Sequence, residues 1–180
     1  MESIPTRIPE VVVIRPRVFA DERGYFVETW QRRRFKEAGI DVDFVQDNLS
    51  RSSRGTLRGL HYQVQQAQGK LVTVVRGRVF DVAVDLRRAS DTFGQWVGVE
   101  LSDENHQFLW IPPGFAHGFV TLSESADFQY KCTNDYAPAC ERSVHWNDPT
   151  LAIQWPDPGA PLVVSAKDAA APAFRDAEYF

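Results

Sequence analysis

Apolar and polar residues alternate over several short stretches of this chain. Residues 80, 82, 84 and 86 form one row along such a stretch and residues 79, 81, 83 and 85 the other, and 97, 99 and 101 repeat the pattern. A period of two is typical of a β-strand with one buried face. The run from Leu71 to Val75 is apolar except for Thr73, as expected for a strand covered on both faces, and Arg76-Gly77 marks a tight turn after it.

Other segments extend the β pattern, and helix is scarce. Residues 31–38 predict two turns of helix, which Gly39 ends. The tail from 166 to 173 predicts one further helical turn, which stops near Pro172. Further short strands are expected at Val11–Ile14, 107–111, 117–122, 128–132 and 143–146.

Many short strands separated by turns rich in Gly and Pro indicate an all-β sandwich or barrel. We expect a double-sheet jelly roll with a few short helices, as a single domain over residues 1–180. An immunoglobulin-like sandwich is less favoured, because Cys132 and Cys140 have the wrong separation for an inter-sheet bridge. Both cysteines are expected to be free thiols.

Charge and composition narrow the function classes. The 180 residues carry a formal net charge of −4, and the longest basic run is Arg32-Arg33-Arg34, which argues against general nucleic-acid binding. The N-terminus lacks a signal-peptide pattern, and no apolar run approaches the roughly 18 residues that span a membrane. We therefore expect a cytoplasmic protein without membrane contact.

Two histidines lie in motifs that predict a ligand site. The turn "IPPGFAHGF" (111–119) has the Pro-x-Gly-x-x-His spacing of the second cupin motif, with His117 as its histidine. In metal-binding cupins this histidine joins two His and a Glu of the first motif. Here the first motif surrounds His61, but the position two residues later is Gln63, and no Glu occurs between His61 and Gly77. Two imidazoles are one ligand short of the usual catalytic metal site, so no metal is predicted.

Cationic side chains surround His61 in the sequence. Arg54, Arg58 and Lys70 bracket it within 17 positions, and the planar fork of Arg suits a phosphate group. Strict alternation would place Arg58 and His61 on opposite faces of a strand. Gly59 would reconcile them if it marks a β-bulge.

Five segments together resemble the dTDP-4-dehydrorhamnose 3,5-epimerase family, in the family's order over about residues 4–173. They are "FADERGYFVETW" (19–30), "FVQDNLSRSSRGTLRGLHYQ" (44–63), "GKLVTVVRGRVFDVAVDLR" (69–87), "WIPPGFAHGF" (110–119) and "FQYKCTNDYAPACERSVHWNDP" (128–149). The resemblance implies a metal-free cupin without cofactor, a homodimer that exchanges N-terminal strands, and a dTDP-sugar substrate in dTDP-L-rhamnose biosynthesis. The alternatives are an epimerase that inverts C3 only or C5 only, a metal-dependent cupin, and a cupin that binds a sugar nucleotide without catalysis.

The resemblance also implies a role for individual residues. His61 matches the general base, Asp168 the carboxylate that orients it, Tyr130 the general acid, and Lys70 the cation near the 4-keto oxygen. The matching substrate-binding positions are Arg23, Glu28, Gln46, Asp47, Asn48, Arg58 at the diphosphate, Lys70, His117, Tyr136 stacked on thymine, Glu141 and Lys167.

These residue types suit epimerisation beside a ketone, which removes a proton from one face of a carbon and returns one to the other. A histidine, with an ordinary pKa of about 6.5, is a suitable base, and a cation stabilises the enolate oxygen. Taken alone, without the family match, His61 is more often a structural histidine and Tyr130 more often a core residue. Asp81 and Asp85 either face solvent or pair with an arginine, and His106 and His145 have no assigned role.

Overall fold

The computed structural model describes residues 1–180, which form fourteen strands, two short α-helices and two 3₁₀ turns. The helices are α1 (Arg32–Glu37) and α2 (Ala166–Ala169), and the 3₁₀ turns are Pro138–Cys140 and Phe174–Asp176. The strands are β1 (Glu2–Pro5), β2 (Val12–Arg15), β3 (Val18–Asp21), β4 (Gly24–Val27), β5 (Gln46–Ser53), β6 (Thr56–Gln63), β7 (Lys70–Arg76), β8 (Arg78–Asp85), β9 (Trp96–Ser102), β10 (Phe108–Ile111), β11 (Phe115–Thr121), β12 (Ser125–Cys132), β13 (Glu141–Ser143) and β14 (Val163–Val164).

Two main sheets form a jelly roll, as expected. One has the order β1-β2-β10-β7-β12-β5 and the other β13-β6-β11-β8-β9, with β14 parallel to β6. Strands β3 and β4 form a separate hairpin. Neighbours within a sheet are mostly distant in the chain, so the fold depends on non-local pairing. The cupin-type all-β prediction is confirmed.

The core lies between the two sheets. Val72 and Val74 of β7 meet Val79 of β8, Phe119 of β11 and Phe128 of β12 in one cluster of 15 buried residues. The outer face of β7 is covered as well, which explains why this strand has apolar residues on both faces. Leu71 points to that outer face and packs with Phe35 of α1 and Trp110.

Strand β8 is buried on both faces, and this burial decides whether its two aspartates face solvent. Val82 and Val84 belong to a second apolar cluster on the outer face, while Asp81 and Asp85 point inward, and all four side chains are 0% exposed. Neither aspartate faces solvent, and Asp85 pairs with Arg87. The remaining alternative, pairing with an arginine, is confirmed for Asp85 alone.

The predicted helices are present in shortened form. Gln31 caps α1, because its side-chain oxygen accepts a hydrogen bond from the backbone N–H of Arg34, and the helix ends before Gly39. The tail forms α2 over Ala166–Ala169, capped by Ser165.

Strands were correctly predicted at β2 and at β7 to β12, although the predicted first and last residues differ from those in the structure. The strand expected at 143–146 lies earlier, at Glu141–Ser143, although Val144 still exchanges both backbone hydrogen bonds with Leu60. Strand β5 was missed, since its "QDNLSRSS" has few apolar residues. It lies at the edge of its sheet, where one face borders a cavity instead of the core.

The apolar run Val11–Ile14 does not form an unpaired edge. Strand β2 pairs with β1 on one side and β10 on the other, within the same chain. The exposed apolar surface lies instead on the β3–β4 hairpin, at Val18, Phe19, Tyr25 and Phe26, which are 39–65% exposed.

Candidate active site

A cavity of about 430 Å³ opens between the sheets, and both sheets supply polar side chains to it. The sheet containing β6 contributes Arg58, His61 and His117, while the other contributes Lys70 and Tyr130. The C-terminal helix α2 adds Lys167 and Asp168.

A β-bulge brings Arg58 and His61 to the same cavity. His117 is opposite His61 in the β6–β11 pairing, but Phe119 is opposite Arg58, so β6 has one residue more than β11 between these pairs. Gly59 lies in this bulge with φ +125°, and a Cβ there would come within 2.6 Å of the Gly118 Cα. The sequence left open whether Gly59 marks a bulge; the structure has one there, and it offsets the alternation that would separate the two side chains.

His61 and Asp168 form a hydrogen-bonded dyad. His61 Nε2 lies 2.6 Å from Asp168 Oδ1, and the backbone N–H of Gly59 donates to Asp168 Oδ2 at 3.3 Å. Burial of Asp168 raises its pKa, but the bonds from His61 and Gly59 outweigh burial, so its net pKa lies below the usual range. An ionised carboxylate at this distance favours the imidazole tautomer with its proton on Nε2, which leaves Nδ1 as the basic nitrogen.

A second imidazole–carboxylate pair lies beside the first. His117 Nε2 is 2.8 Å from Oδ2 of Asp81, which comes from the neighbouring strand β8. Burial lowers the pKa of His117, the charge of Asp81 only partly opposing it, so the ring is neutral near pH 7. The sequence assigned no role to Asp81. Its inward position follows from the alternation of β8 once both faces are known to be buried.

Tyr130 and Lys70 occupy the opposite wall of the cavity. They lie on the adjacent strands β12 and β7, and the Lys70 ammonium is 6.0 Å from the centre of the Tyr130 ring. Burial raises the pKa of Tyr130, so its phenol keeps its proton at neutral pH. Burial lowers the pKa of Lys70, and the nearby Cys132, Asp81 and Glu141 oppose this shift only in part.

A smaller cavity of about 90 Å³ adjoins the first and shares His61, Lys70 and Tyr130 with it. Further predicted binding residues line it: Gln46, Asn48, Tyr136 and Glu141.

One carboxylate connects two of the predicted binding residues at this smaller cavity. Glu141 Oε2 accepts hydrogen bonds from the Tyr136 hydroxyl at 3.0 Å and from the Lys167 ammonium at 2.5 Å. Burial raises the pKa of Glu141, but these two bonds outweigh it and leave the pKa below its ordinary value. The ionised Glu141 thus holds both side chains at the mouth of the site.

Three predicted binding residues do not reach either cavity. Arg23 lies at the tip of the β3–β4 hairpin, its side chain 85% exposed and paired with Asp21. Glu28 pairs with Arg34 of α1. Asp47 points away from its neighbours Gln46 and Asn48 by strand alternation, and it pairs with Lys131 on the outer face.

The chain contains no cluster of three or more His, Cys, Asp or Glu side chains placed to hold a metal ion. Both cysteines are free. None of its helices has the length and apolar character required to cross a membrane.

The cavity therefore combines a base on one sheet with a proton donor on the facing sheet. The Nδ1 of His61 can accept a proton, the Tyr130 phenol can donate one, and Lys70 supplies positive charge near the donor. This set suits proton removal and return on two faces of a carbon beside a carbonyl.

Comparison with known proteins agrees with this chemistry. Residues 5–176 match the protein family described as dTDP-4-dehydrorhamnose 3,5-epimerase. A protein of that name from Pseudomonas aeruginosa is 59% identical over 181 residues, covering 100% of this chain and 99% of its own length.

Solved structures show the same relationship. The dTDP-6-deoxy-D-glucose-3,5-epimerase of Legionella pneumophila, in complex with dTDP-4-keto-L-rhamnose, is 57% identical with a TM-score of 0.95, over 97% of this chain and 93% of that one. A 3'-monoepimerase from Streptomyces bikiniensis, in complex with dTDP-quinovose, is 37% identical with a TM-score of 0.87, over 94% of this chain and 86% of that one.

Proposed function

The chain belongs to the dTDP-4-dehydrorhamnose 3,5-epimerase family, and from this premise we propose how its residues invert C3 and C5 of dTDP-4-dehydro-6-deoxy-D-glucose. The reaction is that of an isomerase in dTDP-L-rhamnose biosynthesis. The observation that carries the residue assignment is that His61 and Tyr130 reach one cavity from two different sheets.

His61 is the general base. Its Nδ1 removes the proton from a carbon next to the 4-keto group, and the imidazolium that forms is stabilised by the carboxylate of Asp168, 2.6 Å from Nε2. Because the pKa of Asp168 lies below its usual range, this carboxylate is already ionised before the proton is taken. The dyad needs no rearrangement during the step.

Tyr130 is the general acid. Its phenol is protonated at neutral pH and returns a proton to the face of the carbon opposite His61. Lys70 stabilises the negative charge that develops on O4 of the enolate, and its burial strengthens this interaction because the effective dielectric constant is lower inside the protein than at its surface. Neutral His117, held by Asp81, contacts the sugar beside the base.

The remaining residues bind the nucleotide. Arg58 and Lys167 lie at the cavity with cationic groups suited to the diphosphate. Tyr136, 53% exposed beside the smaller cavity, offers its ring face to the thymine, and Gln46, Asn48 and Glu141 surround that position.

The active form is a homodimer in which the β3–β4 hairpin of each chain reaches the partner's site. Two features support it. The hairpin exposes apolar side chains, including Phe19 and Phe26, that a second copy would cover. Arg23 and Glu28 are predicted to bind the nucleotide. Arg23 lies on this hairpin and Glu28 directly after it, and both are away from the cavity of their own chain. A partner subunit would bring them to the nucleotide.

The assignment is tested by isotope incorporation. Parent, His61→Ala and Tyr130→Phe proteins are incubated with substrate in deuterated water, and label and configuration are followed together by NMR. His61→Ala should neither exchange nor invert the substrate. Tyr130→Phe should still exchange label on the face of His61, while inversion falls by about 10²–10⁴.

Each contrary outcome has a definite meaning. Exchange by His61→Ala at the parental rate would show that His61 is not the base. Undiminished inversion by Tyr130→Phe would assign the acid to another group. Inversion of one carbon by the parent enzyme would identify a monoepimerase, and binding without exchange would identify a non-catalytic cupin.

A further inference from the structure

Gln63 lies two residues after His61 on β6, at the position where metal-binding cupins place a ligand. The side chain is 4% exposed, and every hydrogen bond of its amide goes to backbone. Its Nε2 donates to the Gln66 carbonyl at 2.8 Å and to the Asp135 carbonyl at 3.2 Å, and its Oε1 accepts from the Ala137 N–H at 2.9 Å. The amide is therefore committed to holding chain segments in place.

Two of these bonds flank Tyr136. The backbone N–H of Tyr136 itself donates to Gln46 Oε1 at 2.9 Å. Gln63 belongs to β6 of one sheet and Gln46 to β5 of the other, so three successive residues of the loop are held by amides from both sheets. Outside these bonds the Tyr136 ring is 53% exposed and is held only by its hydroxyl, which donates to Glu141.

We propose that Gln63 is a positioning residue for nucleotide recognition, which fixes the loop around Tyr136 so that the ring is prepared to receive the base. This inference rests on the proposed function, since it takes Tyr136 as the nucleotide contact. A ring ordered before binding loses less conformational entropy when the nucleotide arrives. Loss of the clamp should therefore weaken nucleotide binding, while the dyad of His61 and Asp168, which shares no hydrogen bond with the Gln63 amide, continues to work.

The burial of Gln63 supports this role over a merely packed side chain. If this buried amide is removed, the backbone groups that it binds are left without hydrogen-bond partners, and the resulting cost in free energy disfavours the ordered loop. Gln63→Met keeps the approximate length and burial of the side chain and removes all three bonds. The exposed Gln154, whose amide bonds only the nearby Ala152 carbonyl, provides the matched control Gln154→Met.

The test is a double-mutant cycle with Tyr136→Ala, read by calorimetric titration of dTDP and by steady-state turnover. Gln63→Met should weaken dTDP binding about tenfold and raise KM in parallel, with kcat within about twofold of the parent. In the Tyr136→Ala background the same substitution should change dTDP affinity by less than about twofold, because the ring it positions is gone. Gln154→Met should match the parent in both measurements.

Two results would overturn the proposal: a fall in kcat with unchanged dTDP affinity, or a tenfold loss of affinity that is the same with and without Tyr136. If Gln63→Met does not fold, Gln63→Glu enters the same cycle, since it keeps the acceptor for Ala137 and loses both donated bonds. Binding of dTDP can be measured without turnover. A parent protein that binds dTDP but does not invert the sugar would refute the proposed function. The mutant cycle read by dTDP binding would still decide the role of Gln63.

Discussion

His61 Nε2 and Asp168 Oδ1 are 2.6 Å apart, although 107 positions separate the two residues in the chain. The bond joins the C-terminal half of β6 to the short helix α2. Since the backbone of Gly59 also donates to Asp168, the bulge that turns His61 into the cavity and the carboxylate that orients it are parts of one arrangement.

Asp168→Asn should lower kcat by about 10²–10⁴, because His61 without its carboxylate loses most of the usual contribution of a positioned base. An amide can accept the His61 N–H bond but cannot stabilise the imidazolium by charge. The measurement is kcat at saturating substrate together with dTDP affinity, which should stay near the parental value. Asp176→Asn, at an exposed aspartate of the same tail, is the control. An unaltered kcat in Asp168→Asn would remove the dyad from the mechanism.

Subunit mixing tests whether the hairpin serves the partner's site. Alone, the Arg23→Ala protein should have weakened activity because it lacks a nucleotide contact. The His61→Ala protein should be inactive because it lacks the base. After random subunit exchange about half of the dimers are mixed, and each mixed dimer has one intact site, so about a quarter of the parental sites return. Sedimentation should give about twice the chain mass of 20.4 kDa. A monomer at micromolar concentration, or no recovery on mixing, would contradict the proposal.

Chelator treatment tests the expected metal independence. The prediction rests on Gln63 occupying a ligand position of the metal-binding cupins with an amide already bonded to backbone. Turnover should survive prolonged dialysis against chelator, with the metal content of the same sample measured by mass spectrometry. Loss of turnover that Fe, Mn or Zn restores would favour the metal-dependent alternative.

Asp85 should make stability depend on acid pH. Burial opposes its ionisation, but hydrogen bonds from Arg87, Ser90 and Thr92 outweigh burial and lower its pKa to about 2. A carboxylate whose folded pKa lies below the unfolded value of 3.8 stabilises the fold above about pH 4 and loses this contribution as pH falls towards 2.

We therefore expect Asp85→Asn to lower the free energy of unfolding by about 2 kcal/mol at pH 7, with a smaller difference at pH 3. Urea unfolding at both pH values measures it. Asp41→Asn, at an exposed aspartate paired with Lys36, should change stability little at either pH. An equal loss for Asp85→Asn at both pH values would mean that packing around the side chain matters and its charge does not.

The sequence by itself determined the local structure and the chemistry of the site. The alternation in β8 and β9 and the apolar run of β7 predicted strands, because side chains on a strand alternate between faces and the covered faces must be apolar. The motifs around His61 and His117 and the resemblance to a family indicated the fold, the reaction and the residue types. Strand periodicity is a property of one short segment, and the resemblance comes from matching single segments to those of the family.

Tertiary structure decided which of these residues meet. The β6–β11 pairing, offset at Gly59, placed Arg58 and His61 in one cavity, and the packing of the two sheets set Tyr130 opposite the base. The same packing buried Asp81 beside His117, although the sequence left it without a role. It also separated Arg23 from the cavity of its own chain. Strand register and the facing of two sheets depend on contacts between residues far apart in the chain, and the periodicity of a single segment contains no information about its distant partner.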